Sequence, residues 1–221
     1  MGFWSSVGSA VSSFVSSVGN VIGSVASSIG SSLSGVAGSL LKIAVPWLGP
    51  VIDAVQSIAT LLGVLAPNEK VEELGDKAIN SDKKPEDFDS NAKYIEYIRN
   101  EIEFDKEKFD KLSDTEKNAR KVIGTSIVIK GIEEKKGFEI PVETWVSLGK
   151  LNIKNSKEID SILNNFSDSK FDNFNKYVDG ELGAKDEISI GNSLVEMYQK
   201  LEPELSKQDI EDKVMKMDLG Q

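Results

Sequence analysis

Large apolar residues recur along the first forty positions of the chain with spacings of four, three and four residues. The segments SSVGSAVSSFV, SSVGNVIGSVA and SSIGSSLSGVA follow one another and share the opening of two serines, a valine or isoleucine, and glycine. Eleven residues over three turns, about 3.67 per turn, predict an α-helix with one apolar face. The positions of this face, called the apolar stripe below, are Val7, Val11, Phe14, Val18, Ile22, Val25, Ile29, Leu33, Val36 and Leu40.

A second helix is predicted after a turn that contains two prolines. Pro46 and Pro50 bracket this turn, apolar residues recur at helical spacing from position 51 onward, and Pro67 ends the pattern. Residues 5–66 are therefore predicted to form a helical hairpin. Trp4 and Trp47 lie near its two ends, where aromatic residues suit a boundary between membrane and water.

Residues 67–221 carry helical signals throughout. Ser113 and Glu116 have the spacing of a capping box, which begins a helix. The stretch TSIVIKG (125–131) has the composition of a strand, but no partner strand is evident. The predicted fold class is all-α, with a helical hairpin of eleven-residue repeats in residues 1–66 and a small acidic multi-helix domain in residues 67–221.

Charge divides the chain at the same position. Residues 1–66 contain one basic and one acidic residue, Lys42 and Asp53, so the whole net charge of -10 lies in residues 67–221. This asymmetry indicates two regions that meet different surroundings. An acidic body repels a phosphate backbone, and no basic cluster with interleaved aromatic residues is present, which excludes nucleic acid as an expected partner.

The chain contains no cysteine and no histidine. Their absence excludes thiol nucleophiles, Ser-His triads and nearly all zinc sites. The segment DSKFDNFNKYVDGE (168–181) lacks the residue order of a calcium-binding loop, and the glycines at 180, 183 and 191 do not form a phosphate-binding loop. The sequence therefore predicts a protein that is not an enzyme and has no catalytic, cofactor-binding or metal-binding residues.

The apolar stripe needs a surface that covers it, because a helix rich in serine and glycine has low intrinsic stability in water. In one interpretation the stripe, Trp4 and Trp47 contact a lipid bilayer, and the hairpin inserts into the bilayer or lies on it. In the other, the hairpin is buried in a hydrophobic groove by protein neighbours in an assembly such as a secretion spike, a tube or a capsid.

The N-terminus lacks the basic region and compact apolar core of a secretory signal peptide. The segments MGFWSSVGSAVSSFVSSVGNVIGSVASSIG and KIAVPWLGPVID resemble the membrane-active leaders, rich in glycine, serine and valine, of bacterial effectors delivered by contractile injection machines such as type VI secretion systems. The resemblance implies a bacterial cytoplasmic protein that is exported or injected, as a toxin or a component of the machine. It would then be secreted or associated with a target membrane. The favoured expectation is a non-enzymatic membrane-active protein.

Overall fold

The computed structural model describes residues 3–167 and 170–220, and within these ranges the chain is helical with no strand. The predicted all-α fold class is confirmed. Two short 3-10 helices, Val45–Trp47 and Pro85–Asp87, join longer elements. The α-helices are α1 (Phe3–Ser24), α2 (Ala26–Ile29), α3 (Ser31–Ile43), α4 (Leu48–Leu61), α5 (Val71–Ile79), α6 (Asn91–Glu101), α7 (Lys106–Asp110), α8 (Asp114–Lys136), α9 (Val142–Lys150), α10 (Ser156–Asn165), α11 (Phe171–Val178), α12 (Ala184–Leu201) and α13 (Lys207–Met215).

The long helix α8 is the central element of the fold. It begins at the predicted capping box, in which the Ser113 hydroxyl accepts from the Glu116 N–H at 3.3 Å and the Glu116 carboxylate accepts from the Ser113 N–H at 2.9 Å. It ends at Gly137, whose φ of 75° is left-handed. Residues 122–129 are buried in succession, because neighbours surround this part of the helix. The stretch TSIVIKG lies here in a helix, in agreement with the predicted all-α class.

Helix α5 crosses α8 at very close range. A Cβ atom at Gly75 would overlap the backbone carbonyl of Arg120, and one at Gly124 would overlap that of Val71. Only glycine at both crossing points allows the two backbones to approach in this way. Beside the crossing, Arg120 Nε donates to Asp76 Oδ1 at 2.6 Å, and both side chains are largely buried. The crossing fixes α5 on one side of the central helix.

The predicted hairpin geometry differs from the observed one. The sequence predicted a single helix through the repeats, but α1 ends at Ser24, α2 is one turn long, and α3 begins after Gly30, whose φ is 81°. The chain therefore turns back within the repeats, and α1 packs against α3, with Gly19 facing the side chain of Leu41. A residue with positive φ cannot continue a right-handed helix, which explains the break between α2 and α3 at Gly30.

One hydrophobic core extends across position 66. Helix α8 packs against α1, α3 and α4 from the uncharged region and against α5 and α6 from the acidic region. Helix α4 also packs on α9, where a Cβ atom at Gly149 would press on the side chain of Val51. Helices α10 to α13 complete the far side of the molecule, with α12 between α10 and α13. The predicted division at residue 66 thus marks a change of charge, while the packing continues through it.

Candidate functional site: the N-terminal helices on the central helix

Much of the apolar stripe lies inside the protein. Its buried members expose at most 5% of their surface, and they belong to the same core cluster as α8. Four of them lie in α1 and α3, which pack on α8, and the fifth, Ile29, lies in α2, which packs on α3 and α5. The acidic part of the chain therefore supplies the covering surface that the repeats require. The buried members are Val18, Ile22, Ile29, Leu33 and Leu40.

The other predicted contact residues are distributed differently. Trp47 is 38% exposed, at the end of the turn that precedes α4. The half-buried members of the stripe, which pack against the edge of the core, are Phe14, Val25 and Val36. The predicted contact residues whose side chains lie outside the described residues are Trp4, Val7 and Val11.

The opposite face of α1 to α3 is an uncharged polar surface. It is formed by exposed serines, glycines and one asparagine, and side chains added at Gly23 and Gly35 would meet nothing within 4 Å. A helix on the surface of a globular protein ordinarily carries charged residues on this side. Apart from Lys42 in the last turn of α3, both faces of these helices therefore lack charge, and only their polarity distinguishes the two. The exposed members include Ser16, Ser17, Asn20, Gly23, Ser24, Ser27, Ser31, Ser32 and Gly35.

A distant carboxylate holds the start of α3. Glu86, in the second 3-10 helix, accepts hydrogen bonds from the Ser31 hydroxyl at 3.1 Å and from the Ser32 N–H at 3.2 Å. A carboxylate at a helix N-terminus satisfies free N–H groups and interacts favourably with the helix dipole. Gly30, the residue before α3, has no side chain that could cap it, and a Cβ atom there would overlap the Glu86 carboxylate. The carboxylate thus occupies the space that the glycine leaves.

The charge state of Glu86 is coupled to this contact. Partial burial acts to raise its pKa, but hydrogen bonds from its own backbone and from Ser32 and Ser31 stabilise the carboxylate, and the pKa lies below its ordinary value of 4.5. Lys84 lines the same surface depression, and Tyr94 is close enough for its own pKa to be raised, by burial first and by the Glu86 charge second. Glu86 is therefore ionised at neutral pH while it holds α3.

Replacing Glu86 by glutamine is expected to cost about 0.5 kcal/mol of stability at neutral pH, a small value because the side chain is largely exposed. Since the folded pKa is depressed, this contribution is complete above pH 4.5 and is lost as the pH falls through the folded value. Urea unfolding of both proteins should show the full difference at about pH 7, and the difference should shrink progressively as the pH is lowered below 4.5. Glu96→Gln, an exposed change on α6, is the control. A difference that persists in acid would contradict the role of the charge.

Polar contacts also fix α4 and the loop that follows it. Lys154 Nζ lies 2.8 Å from Asp53 Oδ2, and the Lys154 carbonyl accepts from the Ser57 hydroxyl at 2.7 Å. Arg99 donates to the Val64 carbonyl at 2.9 Å and to the Glu69 carboxylate at 2.6 Å. The Arg99–Glu69 pair is largely buried, so it ties the end of the uncharged region firmly to α6. Lys154 and Asp53 are both about half exposed, so their ion pair contributes little to holding α4, whereas the Arg99–Glu69 pair fixes the chain that follows α4.

The turn between α3 and α4 exposes a small apolar surface. Ile43 is 40% exposed and Trp47 is 38% exposed, with Lys42 and Pro46 also at the surface. Trp and Ile side chains together at a turn, beside one lysine, resemble the composition of segments that rest in the headgroup region of a bilayer. Within the described ranges, no helix is both long enough and apolar enough to cross a membrane.

The remaining surface can be compared with the requirements of a metal site, a catalytic cavity and a calcium-binding loop. In residues 3–167 and 170–220, no three acidic side chains are grouped as metal ligands. A cavity between α5, α7 and α8 contains Asp76 and Arg120, but the two are paired with each other on its wall. The segment 168–181 includes two residues outside the described ranges, and its remaining part contains the whole of α11. The expectation that the protein is not an enzyme stays a prediction.

Comparison with known proteins gives no relative from which a function could be taken: no family model, curated protein or solved structure matches this chain. The resemblance to injected effectors therefore remains an expectation from the sequence. Two residues of the site, Gly30 and Glu86, had not been predicted. Gly30 belongs to the third eleven-residue repeat, but the sequence contains no signal for its pairing with Glu86, which lies 56 positions further along the chain.

Proposed function

We propose that this chain is a non-enzymatic membrane-active protein in which α1 to α3 are held on α8 and move to the surface of a lipid bilayer. The observation that carries the proposal is the placement of the apolar stripe. Its side chains from Val18 to Leu40 contact the body, while the outer face of the same helices is polar and uncharged. Release would therefore transfer an amphipathic segment to the interface between membrane and water. Lys42 is the one charged side chain of α1 to α3 that would move with it.

The exchange is favourable only if lipid replaces the contacts that α8 now provides. Apolar side chains gain about 25 cal/mol for each Å² removed from water, whether a protein or a bilayer covers them. Backbone hydrogen bonds of a helix are stronger in an apolar medium, which helps a segment rich in serine and glycine to remain helical there. Ile43 and Trp47, which are already exposed, provide the first contact with the headgroup region.

The charged part of the chain has a separate role in this proposal. It carries the net charge of -10 and covers the stripe until a membrane is available. The resemblance of the N-terminus to the leaders of injected effectors fits a protein that leaves a bacterial cytoplasm by a contractile machine. In that setting the covered stripe would prevent premature association with the producer's own membrane.

The alternative is a structural or cargo subunit whose uncharged outer face is covered by protein neighbours. The observation in its favour is the open surface at Gly23 and Gly35, where small residues would let another helix approach closely. Flotation of the purified protein with vesicles, compared with light scattering without lipid, separates the two functions. A monomer that floats with lipid supports the first, and a stable oligomer without lipid supports the second.

A cross-link between α3 and the body tests the release directly. The chain has no cysteine, so a bifunctional thiol reagent added to the Ser31→Cys/Glu86→Cys double variant can join only these two positions. The cross-linked protein is expected to lose vesicle binding, because α3 can no longer leave the body. The same variant blocked with a monofunctional reagent is the matched control and should bind vesicles. Equal binding of the two forms would show that release of α3 is not required.

A further inference from the structure

A second apolar surface lies far from the N-terminal helices in sequence, between α12 and α13. Ile188 is 64% exposed and Met215 is 59% exposed, the two largest values among the exposed large apolar residues of the described ranges. Both line one groove of about 270 Å³. Val195, Val214 and Tyr177 complete its apolar lining, and the Tyr177 hydroxyl is anchored by donating to the Val214 carbonyl at 3.1 Å. The groove is thus a formed feature of the fold with two exposed apolar borders.

A glycine in the middle of α12 keeps this groove open. A Cβ atom at Gly191 would lie 3.8 Å from the Tyr177 hydroxyl oxygen and 3.9 Å from its ring, which is ordinary van der Waals contact. The packing therefore does not require glycine, although glycine costs a helix about 1 kcal/mol relative to alanine. This contrasts with Gly75 and Gly124, where any side chain would overlap a backbone. The absence of a side chain at position 191 enlarges the groove, and the packing of α12 does not depend on it.

The charged residues that line the groove are acidic. Glu187 of α12 and Glu211 of α13 are its charged lining residues, and no lysine or arginine is among those described there. Lys207 lies 3.5 Å from Glu211, but it is 72% exposed and its pairing is weak in water. The pKa of Tyr177 is raised, by burial first and then by the negative charges of Asp218 and Glu187, which agrees with a negative potential at the groove.

We propose that this groove binds a basic amphipathic helix of a partner protein. An apolar groove with acidic borders matches a helix that places large apolar side chains at positions i and i+4 and lysine or arginine beside them. The apolar side chains enter between Ile188 and Met215 above Gly191, and the basic side chains meet Glu187 and Glu211. The acidic border disfavours the surface of an anionic membrane, which carries the same sign of charge. The proposal does not depend on the function of the N-terminal helices.

The probe is a synthetic peptide of leucine and lysine, about 18 residues or roughly five turns, with leucines at i, i+3, i+4 and i+7. Two control peptides have the same length: one with the same composition in scrambled order, and one with glutamate in place of lysine. Binding is measured by fluorescence anisotropy with the full chain at about 0.15 M ionic strength, so that general attraction to an acidic protein is screened. The amphipathic basic peptide is expected to bind at least tenfold more tightly than either control.

Variants of the groove locate the binding site. Ile188→Ser/Met215→Ser removes exposed apolar surface, and Gly191→Leu fills the groove, so each is expected to weaken binding by about tenfold, a change of 1.4 kcal/mol. Leu61→Ser/Leu205→Ser makes the same kind of change at exposed leucines outside the groove and should leave the affinity unchanged. Equal affinity of the groove variants and the control, equal binding of the scrambled peptide, or a loss of vesicle binding instead of peptide binding would each overturn the proposal.

Discussion

Ile22→Asp is expected to lower the free energy of unfolding by at least about 4 kcal/mol, since it removes a buried aliphatic side chain and places a carboxylate in an apolar site. Ile22 is 5% exposed and belongs to the core that α1 shares with α8. Because a globular domain is stable by only about 5–15 kcal/mol, α1 should separate from the body or the chain should unfold. Urea unfolding followed by circular dichroism measures this loss.

Ser24→Asp provides the matched control two positions further along α1. Ser24 is exposed, and its hydroxyl donates to the Val21 carbonyl at 2.7 Å. A carboxylate there meets water, and its proximity to the C-terminal end of α1 should cost less than about 1 kcal/mol. Vesicle binding should also be lost in Ile22→Asp and retained in Ser24→Asp, because only the first places a charge in the apolar stripe. Equal tolerance of both changes would mean that α1 is not held by its stripe.

Deletion of residues 1–66 is expected to unfold or aggregate the remaining acidic chain. The buried residues of α1, α3 and α4 cover faces of α8 and α9, and burial of each large aliphatic side chain contributes about 1.5–3 kcal/mol. The deletion removes nine such residues from these three helices and exposes to water the apolar faces of α8 and α9 that they cover, a large loss for a domain that is only marginally stable. The fragment 67–221 should bind a dye that reports exposed apolar surface, and it should unfold without a cooperative transition.

The complementary measurement is restoration of the fold by the missing segment. Coexpression of residues 1–66 with the fragment 67–221 should recover a compact complex with cooperative unfolding, since the same surfaces are present without a covalent link. A fragment 67–221 that is monomeric, helical and cooperative by itself would contradict this expectation. It would also show that the division at residue 66, predicted from charge, is a true domain boundary and that the N-terminal helices are a separable attachment.

The two experiments bear differently on the proposed function. Ile22→Asp tests whether the apolar stripe is the surface of α1 that is covered, either by α8 or by a lipid bilayer. The deletion tests whether residues 67–221 need the N-terminal helices in order to fold. If the body depends on α1 to α3 for its own stability, release at a membrane must be accompanied by rearrangement around α8. The cross-link between positions 31 and 86 then separates a protein that opens from one that binds lipid through its exposed turn alone.

Local patterns along the chain determined the helical class and much of the buried face. Of the ten positions predicted to share one apolar face, the structure buries Val18, Ile22, Ile29, Leu33 and Leu40, and three more, Phe14, Val25 and Val36, are half-buried. The pair Ser113 and Glu116 identified the start of the central helix. These predictions succeeded because the periodicity of a helix and the hydrogen bonds of a cap involve residues that are close in sequence.

Tertiary packing decided what covers the stripe and where the repeats break. The stretch TSIVIKG has the composition of a strand but is helical, because neighbours bury α8 on several sides and this packing overrides the intrinsic preference of β-branched residues. The turn at Gly30 is accompanied by Glu86, which reaches it from another part of the chain and occupies the space beside it. Sequence periodicity describes which side of a helix is apolar. Which surface meets that side depends on contacts between residues far apart in the chain, and these exist only once the chain has folded.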